Sequence, residues 1–197
     1  MNERDFFGVI TTERTQIGYI PGSQKVLFIK TGQGGSVYGD MNVYLNLATE
    51  VHEKRNLSVF VSATVRDKRE DFLEDMRVVE QRLGTSSFEM YYLGVSKGGL
   101  IGCWYGSEET RILKMLCINA PLMINFHNKT LPAVKKMGKE KLTMIYGSLD
   151  PSYRYLPFVE KHTNVHIING ADHNLKNTSV TLLEIVNTFC LDLGREE

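Results

Sequence analysis

The sequence predicts an α/β fold: a mostly parallel sheet of eight strands with helices on both faces. Three observations carry this. From Val26 onward, short apolar runs alternate with longer segments of helical periodicity. Val26–Ile29 is apolar at every position, as a strand covered on both faces requires. Before the alternation begins, two short strand-like segments flank a polar turn, which adds an antiparallel hairpin at one edge.

Phe6–Ile10 and Gln16–Ile20 form that hairpin around Thr11–Thr15. Pro21-Gly22-Ser23 turns the chain into the third strand, Val26–Ile29. A glycine-rich loop follows, Lys30-Thr31-Gly32-Gln33-Gly34-Gly35-Ser36. The spacing of Val43, Tyr44, Leu47, Ala48 and Val51 predicts a helix over Met41–Lys54. Leu57–Val61 is the fourth strand. Phe72, Met76, Val79 and Leu83 stripe a helix over Asp71–Leu83, and Gly84 stops it. The fifth strand is Met90–Leu93, followed by a helix that carries Leu100, Ile101, Cys103, Trp104 and Tyr105. Ile112–Ile118 is the sixth strand and Leu142–Tyr146 the seventh, with a short helix near Leu131–Met137 between them. Tyr153–His162 reads as helix, Val165–Ile168 as the eighth strand, and Ser179–Leu191 as a last helix with Leu182, Ile185, Val186 and Phe189 on one face. There is no repeat, linker or low-complexity tract, and 197 residues suit one domain spanning the chain.

Composition narrows the function. Lys plus Arg and Asp plus Glu are both 23, so the formal net charge is zero. That balance gives no reason to expect nucleic acid or an anionic membrane surface as partner. The first residues lack the basic and apolar regions of a signal peptide, and no apolar run is long enough to span a bilayer. The three cysteines, Cys103, Cys117 and Cys190, are widely spaced; Cys103 and Cys117 fall in core elements and read as small buried hydrophobes. A reducing cytoplasm is the simplest compartment. No His or Cys spacing suggests a metal site, and nothing calls for a cofactor.

The chemistry centres on Gly94-Val95-Ser96-Lys97-Gly98, a G-x-S-x-G pattern between the fifth strand and a helix. A nucleophile on so sharp a turn adopts a strained backbone, and the flanking glycines relieve the crowding a Cβ would cause. The Lys97 N–H, opening the helix, points where an anion is favoured. A serine hydroxyl needs an imidazole to take its proton, and the imidazole needs a carboxylate to fix its tautomer. Asp150 after the seventh strand and His173 after the eighth supply these, at the strand ends where such sheets build their sites. Asp172 and Asp67 are weaker candidates for the acid, and Asn119 after the sixth strand is no carboxylate. The second oxyanion donor is expected from the loop after the third strand: Gln33 by position, then Gly34, which is also expected to contact substrate.

The elbow, Gly147-Ser148-Leu149-Asp150-Pro151 and Gly170-Ala171-Asp172-His173 together resemble the α/β-hydrolase family. The resemblance implies a second strand antiparallel to the rest. It also implies hydrolysis of an ester, thioester or amide, or related acyl transfer, through an acyl-serine formed on a small-molecule acyl substrate. A departure is Thr31-Gly32 where many members carry His-Gly. A non-catalytic binding protein on the same fold is the rival reading. Little chain separates the sixth and seventh strands, so a multi-helix lid is not expected. The cleft is expected to be shallow and open, with Met123, Ile124 and Phe126 as candidates for an apolar wall.

Overall fold

The computed structural model describes residues 5–64, 66–176, 178 and 181–191. Eight strands form one sheet: β1 (Gly8–Thr11), β2 (Gln16–Ile20), β3 (Lys25–Gln33), β4 (Ser58–Thr64), β5 (Glu89–Val95), β6 (Ile112–Ile118), β7 (Leu142–Gly147) and β8 (Asn164–Ile168). Their order is β1-β2-β4-β3-β5-β6-β7-β8. β2 is antiparallel to both β1 and β4, and every other pairing is parallel. The antiparallel second strand and the edge hairpin are as the sequence predicts.

Among the described residues six α-helices cover the sheet: α1 (Val43–Arg55), α2 (Arg69–Leu83), α3 (Lys97–Ile101), α4 (Leu131–Lys141), α5 (Leu156–Val159) and α6 (Leu182–Leu191). The two-residue period of the central strands divides the apolar side chains between two cores. Phe28, Tyr92 and Cys117 face one core with α2, α3, α4 and α5; Ile29, Leu93 and Ile118 face the other with α1 and α6. The buried Cys103 and Cys117 are free thiols; the Cys190 side chain, like Ser179, lies outside the described residues.

Several boundaries differ from the sequence reading, each for a local reason. β3 runs four residues beyond Ile29 because its polar end is satisfied inside the sheet. Lys30 is 2% exposed, and its ammonium meets Asp75 of α2 at 2.7 Å and the Ser62 hydroxyl at 2.8 Å. α1 starts at Val43 instead of Met41, because Met41 and Asn42 have left-handed φ of 49° and 59°. Tyr153–His162 is not one helix. The Asp150 carboxylate caps a 3₁₀ turn over Pro151–Tyr155, and α5 restarts with Pro157 in its first turn. A continuous helix would bring the Pro157 ring against the Tyr153 carbonyl. Regular geometry in α4 breaks at Gly138, whose φ is 67°.

The stretch from β6 to β7 contains a π-helical turn over Phe126–Thr130 and α4, which packs on β6, β7 and α5. It is a crossover and no cap domain. Among the described residues no helix is long and apolar enough to cross a membrane.

Candidate active site

Ser96 sits between β5 and α3 with φ 51° and ψ −119°, a conformation that L residues rarely adopt. Its surroundings leave no alternative. The Ser96 N–H donates to the Ile118 carbonyl at 2.8 Å, and its own carbonyl accepts from Gly99 and Leu100 at 3.0 and 3.3 Å. The flanking glycines allow two close approaches. A Cβ on Gly94 would lie 2.4 Å from the Gly99 Cα, and one on Gly98 would lie 2.2 Å from the Lys30 carbonyl oxygen. Gly98 is thus required by the neighbouring strand β3, and Gly94 by the helix turn at Gly98 and Gly99, where its Cβ would also lie 2.7 Å from the Gly98 carbonyl carbon.

The three residues expected to act together meet. Ser96 Oγ is 2.8 Å from His173 Nε2, and His173 Nδ1 is 2.5 Å from Asp150 Oδ2. A carboxylate only accepts, so the proton lies on Nδ1 and Nε2 is left to accept from the serine hydroxyl. The Asp150 side chain is 0% exposed and that of His173 38%. The acid is therefore shielded from water while the imidazole faces the cleft. Asp150 Oδ1 is fixed by the Ser152 N–H at 2.6 Å. The His173 pKa is raised from its ordinary value, chiefly by the hydrogen bond to Asp150. Burial opposes the rise, and the charges of Asp150 and Asp172 add to it.

The other acids have other partners. Asp67 pairs with the Lys97 ammonium at 2.9 Å, and that contact holds its carboxyl below the usual carboxylate range. Asp172 accepts the N–H groups of Asn174 and Lys176, both at 2.9 Å, and so shapes the loop that carries His173. The Lys97 side chain is neither free nor merely solvated: beyond Asp67 it reaches Gln33 Oε1 at 3.5 Å.

At the elbow one backbone donor is left open. With Gly99 and Leu100 bonded back to Ser96, the Lys97 N–H opens α3 with no acceptor among the described residues. The Gly34 N–H donates to the Thr64 carbonyl at 3.1 Å, so it is held in the sheet and cannot serve as the second donor. Gln33, the residue before it, ends β3 with its side-chain oxygen 3.5 Å from the Lys97 ammonium. Gly32 lies against the elbow, where a Cβ would be 3.5 Å from the Ser96 Cβ.

A cleft of about 1060 Å³ opens at Ser96 and His173. Gly34 lines it, together with Tyr44, Val95, Ile118, Leu175 and Leu182. It is roomier than the shallow cleft expected, and its apolar wall comes from the core shared by α1 and α6. Burial pushes the Tyr44 phenol up to about 12, so that wall carries no charge there. Met123, Ile124 and Phe126 do not line it. They leave β6 toward the opposite face. Phe126 packs on Tyr155 and Phe158, Ile124 joins the α2–α5 core, and the Met123 sulfur takes a hydrogen bond from Ser152 at 3.7 Å.

The site uses one residue that the sequence does not single out. Asn119, buried after β6, donates to the His173 carbonyl at 2.8 Å and the Asp172 carbonyl at 3.3 Å, and accepts from the Gly147 N–H at 2.9 Å. Its position at a strand end beside the site is the available signal. Among the described residues no cluster of His, Cys, Asp or Glu could hold a metal ion.

No family model matches the sequence, and no curated protein does. Solved structures do match, over nearly the whole chain. Est1E from Butyrivibrio proteoclasticus superposes with a TM-score of 0.72 at 14% identity, covering 94% of this chain and 97% of that one. XC6422 from Xanthomonas campestris, an α/β serine hydrolase without a lid, gives 0.67 at 12% identity and 96% coverage of each chain. The chain has the α/β-hydrolase fold. TT1662 from Thermus thermophilus is also similar, with a TM-score of 0.63 at 16% identity over 91% of this chain and 92% of that one. At such identities the likeness concerns the α/β-hydrolase fold alone, and the chemistry must be argued from the site.

Proposed function

We propose that this protein is a serine hydrolase that cleaves carboxylic esters or thioesters through an acyl-serine intermediate. The observation that carries the reading is the unbroken hydrogen-bonded line from Ser96 Oγ through His173 to the buried Asp150 carboxylate. A binding module has no use for a strained serine aligned on a carboxylate-oriented imidazole. Support for esters comes from the similar structures, among them Est1E, of which a complex with ferulic acid is known, and the esterase domain of a Rhodothermus marinus protein.

In this reading His173 Nε2 takes the Ser96 proton as Oγ bonds to the acyl carbon. The carbonyl π electrons move to oxygen, and the N–H groups of Lys97 and Gln33 hold the resulting oxyanion. As the tetrahedral adduct collapses, the bond to the leaving oxygen or sulfur breaks and the imidazolium returns its proton to that atom. Water then repeats the sequence on the acyl-serine and restores Ser96. The acyl group occupies the cleft against Tyr44, Ile118 and Leu182, with Gly34 at its rim.

Steady-state hydrolysis of p-nitrophenyl butyrate by the wild type and by Ser96→Ala tests this. The wild type should turn over, and the variant should lose roughly 10⁴-fold in kcat, because triad members act as a unit. Equal rates for both would overturn the proposal.

A further inference from the structure

Asn119 follows β6 directly, between the strand-end loops that carry the acid and the base. It is fully buried and has a left-handed φ of 48°. Asparagine tolerates that region better than most residues, but the conformation still has a cost. Both polar atoms of its side chain are used, and they reach two different segments. Oδ1 accepts from Gly147, the last residue of β7, three residues before Asp150. Nδ2 donates to the carbonyls of Asp172 and His173 itself.

The two loops also touch directly, but elsewhere. The Leu149 N–H donates to the Ala171 carbonyl at 3.0 Å, the Ser148 hydroxyl accepts from the Gly170 N–H at 2.9 Å, and a Cβ on Gly147 would lie 2.3 Å from the Ala171 oxygen. A Cβ on Gly147 would also lie 2.8 Å from the Asp172 oxygen, but the backbone hydrogen bonds between the two loops stop at residue 171. Beyond it, the backbone that carries the imidazole is tied to the sheet through Asn119. We propose that Asn119 is a positioning residue for the catalytic base: its amide holds the His173 backbone at a fixed distance from the strand that presents Asp150. This rests on the assignment of His173 as the base.

The imidazole reports such positioning. Asp150 from the loop after β7 and Asp172 from its own loop raise its pKa, while Asp40 and Lys176 line the same cleft. If the loop slips, the short contact to Asp150 weakens first, and the pKa falls.

Two variants test the proposal. Asn119→Gly keeps the left-handed backbone without strain and removes only the amide. Asn119→Asp keeps the size and the acceptor for Gly147 but sets carboxylate oxygens against two carbonyls. The His173 ring is titrated by NMR, with the resonance assigned from a His173→Gln spectrum, beside kcat and KM on p-nitrophenyl butyrate and a thermal melt. The expected result is a His173 titration moved to lower pH, and a kcat lower by about 10- to 100-fold with little change in KM, as for an ångström-scale misplacement. Folded variants with the wild-type titration and kcat would reduce Asn119 to a packing residue and overturn the proposal. If the wild type hydrolyses no ester, the serine-hydrolase reading fails, and the NMR titration alone still decides the role of Asn119. Should Asn119→Gly not fold, Asn119→Asp is read in the same way.

Discussion

Replacing Gly98 by alanine tests the geometry on which the elbow depends. A Cβ at this position would lie 2.2 Å from the Lys30 carbonyl oxygen and 2.5 Å from that of Thr31. Non-bonded contacts relax only near roughly 3.5 Å, so α3 and β3 would have to separate by about 1 Å. Neither oxygen is free to rotate away: Lys30 is paired on both sides, and the Thr31 oxygen accepts from the Thr64 hydroxyl at 2.6 Å. Overpacking of this kind costs about 1–3 kcal/mol, and the upper end applies here. Alanine returns about 1 kcal/mol as the better helix former. The net loss of about 2 kcal/mol should lower the melting temperature by about 4–8 °C in a chain of this size. Activity should fall further than stability. Ser96 lies two residues before the clash and Gln33 two residues beyond Thr31, so the nucleophile and one oxyanion donor both move, with an expected loss of about 10²-fold. The assay is a thermal melt beside the rate of labelling by a fluorophosphonate. Gly84→Ala is the control: its φ is 67° and a Cβ there would meet nothing within 4 Å, so it should lose about 1 kcal/mol and label normally. A Gly98→Ala protein that melts and labels like the wild type would refute the reasoning.

Three further outcomes follow from the same structure. Lys30→Met leaves Asp75 buried at 0% exposure without its cation; urea denaturation should show a loss of about 3–5 kcal/mol, largely recovered when Asp75→Leu is added. Asp150→Asn removes the main cause of the raised His173 pKa, so the acidic limb of the kcat/KM profile should move to lower pH while the plateau falls by roughly 10⁴-fold. The sign is fixed: the base works when neutral, so lowering its pKa extends the active range downward. Finally, with no cap over Ser96, the rate on tributyrin should rise smoothly through the solubility limit, and a jump there would contradict the lidless site.

Most of the architecture is legible in the sequence because its signals are local. Apolar runs such as Val26–Ile29 and stripes such as Phe72, Met76 and Val79 state their period within a few residues, and the loop order Ser96, Asp150, His173 places them at successive strand ends. What stays hidden depends on partners distant in sequence. A lysine reads as a strand end, and it is Asp75 of α2 with Ser62 and the Ala63 carbonyl of β4 that let Lys30 stay inside β3. Gly34 reads as a possible oxyanion donor, but pairing with Thr64 takes its N–H. Met123 follows β6 as Asn119 does, but which face the chain leaves by is decided by the packing of Phe126 on Tyr155 and Phe158. The break at Pro157 is readable from the sequence, since a proline in mid-helix argues against continuity. Asn119 shows only its place at a strand end, because its bonds reach Gly147 and His173, far along the chain.

The central claim is that Ser96 is an activated nucleophile, and covalent labelling reads this without knowledge of the natural substrate. The native protein is treated with a fluorophosphonate, digested, and mapped by mass spectrometry, beside His173→Gln and heat-denatured protein. One adduct is expected, on the peptide that contains Ser96, formed rapidly in the native protein and lost in both controls. A native protein that stays unlabelled, or that carries its adduct on another residue with Ser96 untouched, would contradict it.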